Sequence, residues 1–162
     1  MCSEHIGRVV SIRRGRAFGP AEPSCSILMA AMSQENVEIV LGLLPANEKS
    51  PDEFHPYLDP EFEIIPTASF PDREIFRGPS GFERWATRWT SMFDEHELTV
   101  GRTWDAGDHV VVELSERVRS RGSSFSLEDH YAHVWTFQDG VAIRLEIFEQ
   151  LDDALAAAGV RN

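Results

Sequence analysis

The chain has 162 residues, of which 42% are hydrophobic and 10% aromatic, enough to build the core of one globular domain. Its formal net charge is −12 at pH 7, and a surface this acidic repels phosphate backbones and anionic lipids, so nucleic acid and membranes are not expected partners. No apolar run approaches the roughly eighteen residues that a membrane span needs.

The N-terminal segment differs in composition from the rest of the chain. Residues 1–31 contain four arginines, two glutamates and scattered glycine, proline and serine, with no sustained period. Both cysteines, Cys2 and Cys25, lie in this segment and form neither a disulfide framework nor a metal quartet. We therefore expect a disordered extension over 1–31, a single domain over 32–162 and a reducing, cytoplasmic location.

Three helices are predicted next along the chain. Ser33 is a candidate N-cap for a helix that Pro45 ends, and its apolar residues recur at helical spacing. A short second helix is predicted at Ser50-Pro51-Asp52-Glu53. Ser80-Gly81-Phe82-Glu83 is typical of a capping box and opens the third helix. The apolar stripe of that helix predicts packing on a sheet, and Trp89 would line a pocket if the sheet is concave.

After the helices the pattern changes to strands. A short strand at 62–65 precedes the third helix, and four strands follow it at 98–104, 109–119, 125–137 and 141–149. Turn residues separate these four, which predicts an antiparallel meander, and a last helix is expected over 152–158. Helices followed by a run of antiparallel strands indicate an α+β fold.

The strand at 125–137 carries the most informative side chains. Alternation places Tyr131, His133, Trp135 and Phe137 on one face, and four smaller or polar residues on the other. A large aromatic face with one titratable group predicts a curved sheet around a ligand pocket. His133 is the candidate general acid or base, and the alternative is a buried histidine whose nitrogens are satisfied by neighbouring groups.

The other strands supply weaker candidates. Leu145 and Ile147 would line the pocket, and Glu149, on the same face, would lie near its mouth. Arg117 would meet an anionic ligand, although a ladder of opposite charges across the hairpins explains it equally well. No metal is expected, because His130 and His133 point to opposite faces of a regular strand, and no cofactor motif is present.

Several segments, in order, resemble the SnoaL-like proteins of the NTF2-like superfamily. The segments are Ser33-Gln34-Glu35-Asn36-Val37-Glu38, Phe76-Arg77-Gly78-Pro79-Ser80-Gly81, Asp105-Ala106-Gly107-Asp108-His109-Val110-Val111-Val112 and His133-Val134-Trp135-Thr136-Phe137-Gln138-Asp139-Gly140. The resemblance implies a cone, in which N-terminal helices wrap a strongly bent antiparallel sheet and the open end takes a small molecule. It also implies a homodimer, paired through the face that carries Ala132, Val134 and Thr136.

Two chemistries of that superfamily do not transfer to this chain. Ile65 stands before Pro66 where a ketosteroid isomerase has its aspartate base, and Arg119 stands where an epoxide hydrolase of the limonene type has an aspartate. The leading hypothesis is a small-molecule pocket protein, one form of which is a cofactor-independent lyase, isomerase or hydrolase that acts on an apolar, ring-like substrate through His133. Tyr131 and Trp135 would shape its site. The alternatives are a non-catalytic ligand-binding or dimerisation module, and a cone filled by its own side chains.

Overall fold

The computed structural model describes residues 8–9, 25–44, 50–67 and 74–161. The helices in these residues are α1 (Cys25–Leu43), α2 (Pro51–Phe54), α3 (Gly78–Ser91) and α4 (Leu151–Ala157), with a short 3-10 turn at His55–Tyr57. The strands in the same residues are β1 (Arg8–Val9), β2 (Leu58–Ile65), β3 (Phe76–Arg77), β4 (Phe93–Ala106), β5 (His109–Ser120), β6 (Ser126–Gln138) and β7 (Val141–Phe148).

The strands form one mixed sheet in the order β1-β4-β5-β6-β7-β2-β3. Strands β4 to β7 make the predicted antiparallel meander. Strand β2 pairs parallel with β7, which the sequence did not reveal because α3 and strands β4 to β6 separate the two along the chain. Helices pack on the sheet to give the predicted α+β cone, and no helix in the described residues is long and apolar enough to cross a membrane.

The helix starts differ from the sequence predictions. Helix α1 begins at Cys25, so the predicted boundary at residue 31 falls within it, while residues 1–7 and 10–24 lie outside the described residues. Ser33 is therefore not an N-cap, and its hydroxyl instead donates to Asp105 Oδ2 on β4 at 2.8 Å. The capping box predicted at Ser80 is also wrong, because α3 begins earlier, at Gly78 behind an Arg77 N-cap.

A bulge in β4 decides which of its side chains face inward. Val100 pairs with Leu114, and the next regular pair joins Thr103 to Val112, so β4 contains one residue more than β5 over this interval. Side chains alternate along a strand, and one extra residue reverses the alternation beyond it. The bulge therefore lets His96 face the inside of the cone while Trp104 packs in the cluster on the outer face.

Two apolar clusters lie on opposite faces of the sheet. The inner one joins α1, α3 and the concave face, and includes Phe62, Phe82 and Trp135. The outer one places Leu155 of α4 in a cluster with Ala132 and Val134. The small face predicted for dimer pairing is thus covered, at these two residues, by a helix of the same chain.

Candidate functional site

A cavity of about 330 Å³ lies inside the cone. This volume is at the lower end of the range for small-molecule sites. The lining side chains come from α3, the meander and flanking segments: Leu44, Thr67, Trp85, Ala86, Trp89, Thr90, His96, Leu98, Glu116, Asp129, His130, Tyr131, His133, Ile147, Glu149 and Gln150. The expectation of a cone filled by its own side chains does not fit this volume.

Glu116 is a buried carboxylate on the wall of this cavity. It lies on β5 and is only 2% exposed. Its Oε1 accepts a hydrogen bond from Trp89 Nε1 at 2.6 Å, and the same oxygen is in short contact with His96 Nε2. Burying a carboxylate is costly unless it is hydrogen-bonded, so the two ring nitrogens account for its place in the wall.

Tyr131 lies close to this carboxylate on the neighbouring strand. Burial raises the pKa of its phenol, and the negative charge of Glu116 raises it further. The phenol is therefore a neutral O–H donor at physiological pH. Its ring centroid is 5.4 Å from that of His133, which continues the wall along β6.

His133 is enclosed by aromatic rings. Its side chain is 1% exposed, and the rings of Trp85 and Trp135 have centroids 6.3 Å and 6.1 Å from its own. Burial lowers its pKa to about 3, which keeps the imidazole neutral near neutral pH. Neither ring nitrogen has a hydrogen-bond partner among the described residues.

A family model for the SnoaL-like domain matches residues 46–145. The chain belongs to the SnoaL-like family. The resemblance inferred from the sequence motifs is thereby confirmed. No curated protein matches the sequence.

Solved structures share the SnoaL-like fold at low sequence identity. A protein from Jannaschia sp. CCS1 assigned as a SnoaL-like polyketide cyclase is 19% identical, with a TM-score of 0.64 over 91% of this chain and 100% of its own. TerC, co-crystallised with polyporic acid, is 18% identical, with a TM-score of 0.61 over 77% of this chain and 98% of its own. An epoxide hydrolase of the LEH-like type from M. tuberculosis is 14% identical, with a TM-score of 0.55 over 77% of this chain and 90% of its own. At these identities the likeness concerns the fold alone.

The SnoaL-like domain brings together five of the residues singled out from the sequence. Those that line the cavity are Trp89, Tyr131, His133, Ile147 and Glu149. Trp135 and Leu145 are fully buried in the inner core instead, and the Trp135 ring stacks on Phe62 at 6.0 Å. Arg117 is exposed, away from the cavity, and its cross-strand neighbours are Glu97 and Glu128, as the charge-ladder interpretation anticipates.

Sequence reasoning missed His96 and Glu116. Glu116 shares its strand parity with Leu114 and Val118, so a lone carboxylate on an apolar face was a signal that could have identified it. His96 precedes the predicted strand start at residue 98, because β4 extends to Phe93 through a second register shift. Its pairing with a carboxylate needs the hairpin register, which the sequence does not show.

The described residues hold no group of three or more His, Cys, Asp or Glu side chains placed to bind a metal ion. His130 and His133 both line the cavity, yet the former is exposed and its Nε2 lies 3.5 Å from Glu128 Oε1, while the latter is buried among rings. The side chains of the site can transfer protons and form hydrogen bonds.

Proposed function

We propose that this SnoaL-like protein is a small-molecule enzyme that transfers protons through His96 and Glu116. The reaction class is an isomerisation, an elimination or a hydrolysis of an apolar, ring-like substrate, without a cofactor. The supporting observation is the environment of Glu116, which is only 2% exposed on the wall of a cavity large enough for a ligand. One of its carboxylate oxygens contacts both the Trp89 indole and the His96 imidazole. A carboxylate within hydrogen-bond reach of an imidazole is an arrangement that acid–base catalysis uses.

Each group has a role in this proposal. Glu116 accepts the Nε2–H of His96, which selects the tautomer whose lone pair is on Nδ1. That nitrogen is the base that removes a proton from the substrate or from a water molecule. Trp89 from α3 and the neutral Tyr131 phenol from β6 both hold the Glu116 carboxylate in place.

This assignment moves the acid/base role away from His133. An imidazole whose pKa burial lowers to about 3 is protonated too rarely near neutral pH to act as a general acid. It also lacks a carboxylate partner among the described residues.

The walls of the cavity support an apolar, ring-like substrate. Trp85, Leu98 and Ile147 supply ring and aliphatic surface, and the acids among the described lining residues oppose an anionic ligand. Proteins of the same fold include TerC, crystallised with polyporic acid, and a protein assigned as a polyketide cyclase. These likenesses support a small-molecule ligand but do not select one.

Deuterium transfer tests the function without knowledge of the reaction. The protein is incubated in deuterium oxide with a panel of steroids, polyketides and terpenoid epoxides, and mass spectrometry detects deuterium uptake or product. Glu116→Gln and His96→Gln should each lower the rate by about a hundredfold or more. Glu113→Gln is the matched control for the first, because Glu113 lies on the same strand but pairs with Arg102 on the outer face. His109→Gln, whose Nδ1 meets Thr136, is the control for the second.

If compounds bind but none of them takes up deuterium or is turned over, the proposed enzymatic function is contradicted and the non-catalytic binding module is favoured. Equal rates in Glu116→Gln and Glu113→Gln would contradict the role of the His96–Glu116 pair even if turnover occurs.

We also propose that the protein is a homodimer. Since α4 covers Ala132 and Val134, the interface must include surface other than the small face on which this expectation rested. Light scattering tests it, and a mass equal to one chain would contradict it.

A further inference from the structure

The wall formed by β6 contains a polar group that the proposed proton transfer does not use. His133 lines the cavity, is 1% exposed, and has no partner for Nδ1 or Nε2 among the described residues. An unsatisfied buried polar atom normally costs free energy, and such atoms in native proteins call for a functional explanation. A ligand group that bonds to this imidazole would supply one.

The protonation state of His133 limits what that ligand group can be. Burial among rings keeps the imidazole neutral, so it offers one N–H donor and one lone pair. Because the two ring nitrogens point in different directions, one ligand group meets only one of them. A carboxylate can only accept from the N–H and an ammonium group can only donate to the lone pair, whereas a neutral hydroxyl fits whichever nitrogen faces the cavity.

The charges around the cavity oppose an anionic ligand. Its described lining includes the carboxyl groups of Glu116, Asp129 and Glu149, and no lysine or arginine. A ligand carboxylate would meet these like charges without a counter-ion in the described lining. The rings of Trp85 and Tyr131 flank His133 and can hold a ring that carries the hydroxyl.

We propose that His133 is a specificity-determining residue that binds a hydroxyl group of the ligand, so that the cavity selects uncharged, hydroxylated ring compounds over carboxylates. This role rests on the small-molecule cavity of the proposed function but not on proton transfer by His96 and Glu116. It assigns a separate binding subsite to β6, one strand away from Glu116.

A matched set of probes tests this role by quenching of tryptophan fluorescence, since Trp85 and Trp89 line the cavity. The probes are naphthalene, naphthol, naphthoate and naphthylmethylammonium. In the wild type, naphthol should bind about tenfold more tightly than naphthalene, the change expected for one satisfied buried hydrogen bond, and naphthoate should bind most weakly. His133→Phe should bring naphthol to the affinity of naphthalene.

Two variants keep the test decisive. His133→Gln retains one donor and one acceptor and should retain part of the preference for naphthol, even if His133→Phe folds poorly. His109→Phe changes a histidine of β5 that does not line the cavity and whose Nδ1 lies 3.0 Å from Thr136 Oγ1, and it should leave the preference intact. A preference that survives in a folded His133→Phe variant, tightest binding of naphthoate, or no naphthol binding to the wild type would overturn the proposal.

The same probes separate this role from the proposed enzymatic function. Glu116→Gln should lower the rate of deuterium transfer by about a hundredfold or more while it preserves the preference for naphthol. If Glu116→Gln loses the preference for naphthol and His133→Phe keeps it, the hydroxyl is recognised by the His96–Glu116 pair, and the proposed role of His133 is overturned. Lack of turnover with an intact, His133-dependent preference would contradict the enzyme alone.

Discussion

His96 and Glu116 meet diagonally across the β4–β5 hairpin. In the register of the sheet, His96 lies opposite Val118, and Glu116 lies opposite Leu98. Diagonal neighbours on one face are close enough for long side chains to touch, which an imidazole and a glutamate achieve here. The contact depends on the strand register, and the indole of Trp89, on α3, donates a hydrogen bond to the same carboxylate.

Loss of the Trp89 indole N–H should impair proton transfer by His96 and Glu116 with little effect on substrate binding. In Trp89→Phe the ring remains, but Glu116 Oε1 loses the donor that lies 2.6 Å away. We expect kcat to fall by about tenfold, the value of one charged hydrogen bond, with KM nearly unchanged for any substrate found by deuterium transfer. Trp85→Phe, a change of the same kind at a cavity ring, should alter KM more than kcat. The reverse pattern would contradict a positioning role for Trp89.

The buried imidazole should make stability depend on pH. The pKa of His133 is lowered from 6.5 to about 3 by burial, so between these values the unfolded chain binds a proton that the folded chain does not. This contribution to stability is complete above 6.5 and is lost as pH falls toward 3, with a slope of at most about 1.4 kcal/mol per pH unit.

Urea unfolding of the wild type and of His133→Gln at a series of pH values in that window measures this slope. The variant should lose stability less steeply as pH falls, while His130→Gln, which changes an exposed side chain, should follow the wild type. Parallel curves for the wild type and His133→Gln would show that His133 titrates normally in the folded protein.

Removal of the bulge in β4 should disturb the site from a distance. Deletion of Gly101 restores regular alternation between Val100 and Thr103, so either His96 or Trp104 must turn to the wrong face. We expect the free energy of unfolding to fall by at least about 2 kcal/mol and deuterium transfer to be lost. Deletion of Ser124, in the exposed turn between β5 and β6, is the control. If the variant without Gly101 still transfers deuterium, the bulge is not what turns His96 towards the cavity.

Trp135 should matter for stability and not for ligand contact. It is 0% exposed and packs against Phe62 and Phe82 in the inner core. Trp135→Leu should lower the free energy of unfolding by about 2 to 4 kcal/mol in chemical denaturation, because it leaves a cavity. The folded variant should still prefer naphthol to naphthalene. A variant of unchanged stability that no longer binds naphthol would instead place Trp135 at the ligand.

Local patterns predicted much of the fold. Turn residues and period-two alternation located the meander, and the same alternation put Tyr131 and His133 on one face of β6, the face on which both line the cavity. Trp135 shares that row but lies deeper, since parity says which face a side chain occupies and not how far along the cone the cavity extends. The start of α1 was missed because Ser33 resembles a cap, whereas its hydroxyl is used by Asp105, far away in sequence.

The class of fold, the inward face of β6 and the acidic character of the chain could be predicted from the amino-acid sequence, since they depend on composition and on contacts between near neighbours. Which titratable groups meet depends on the three-dimensional arrangement of the elements. The β4 bulge turns His96 inward, the hairpin register brings it to Glu116, and α3 adds Trp89 from outside the meander. Each of these depends on distances between residues remote in the chain, which a one-dimensional pattern does not contain.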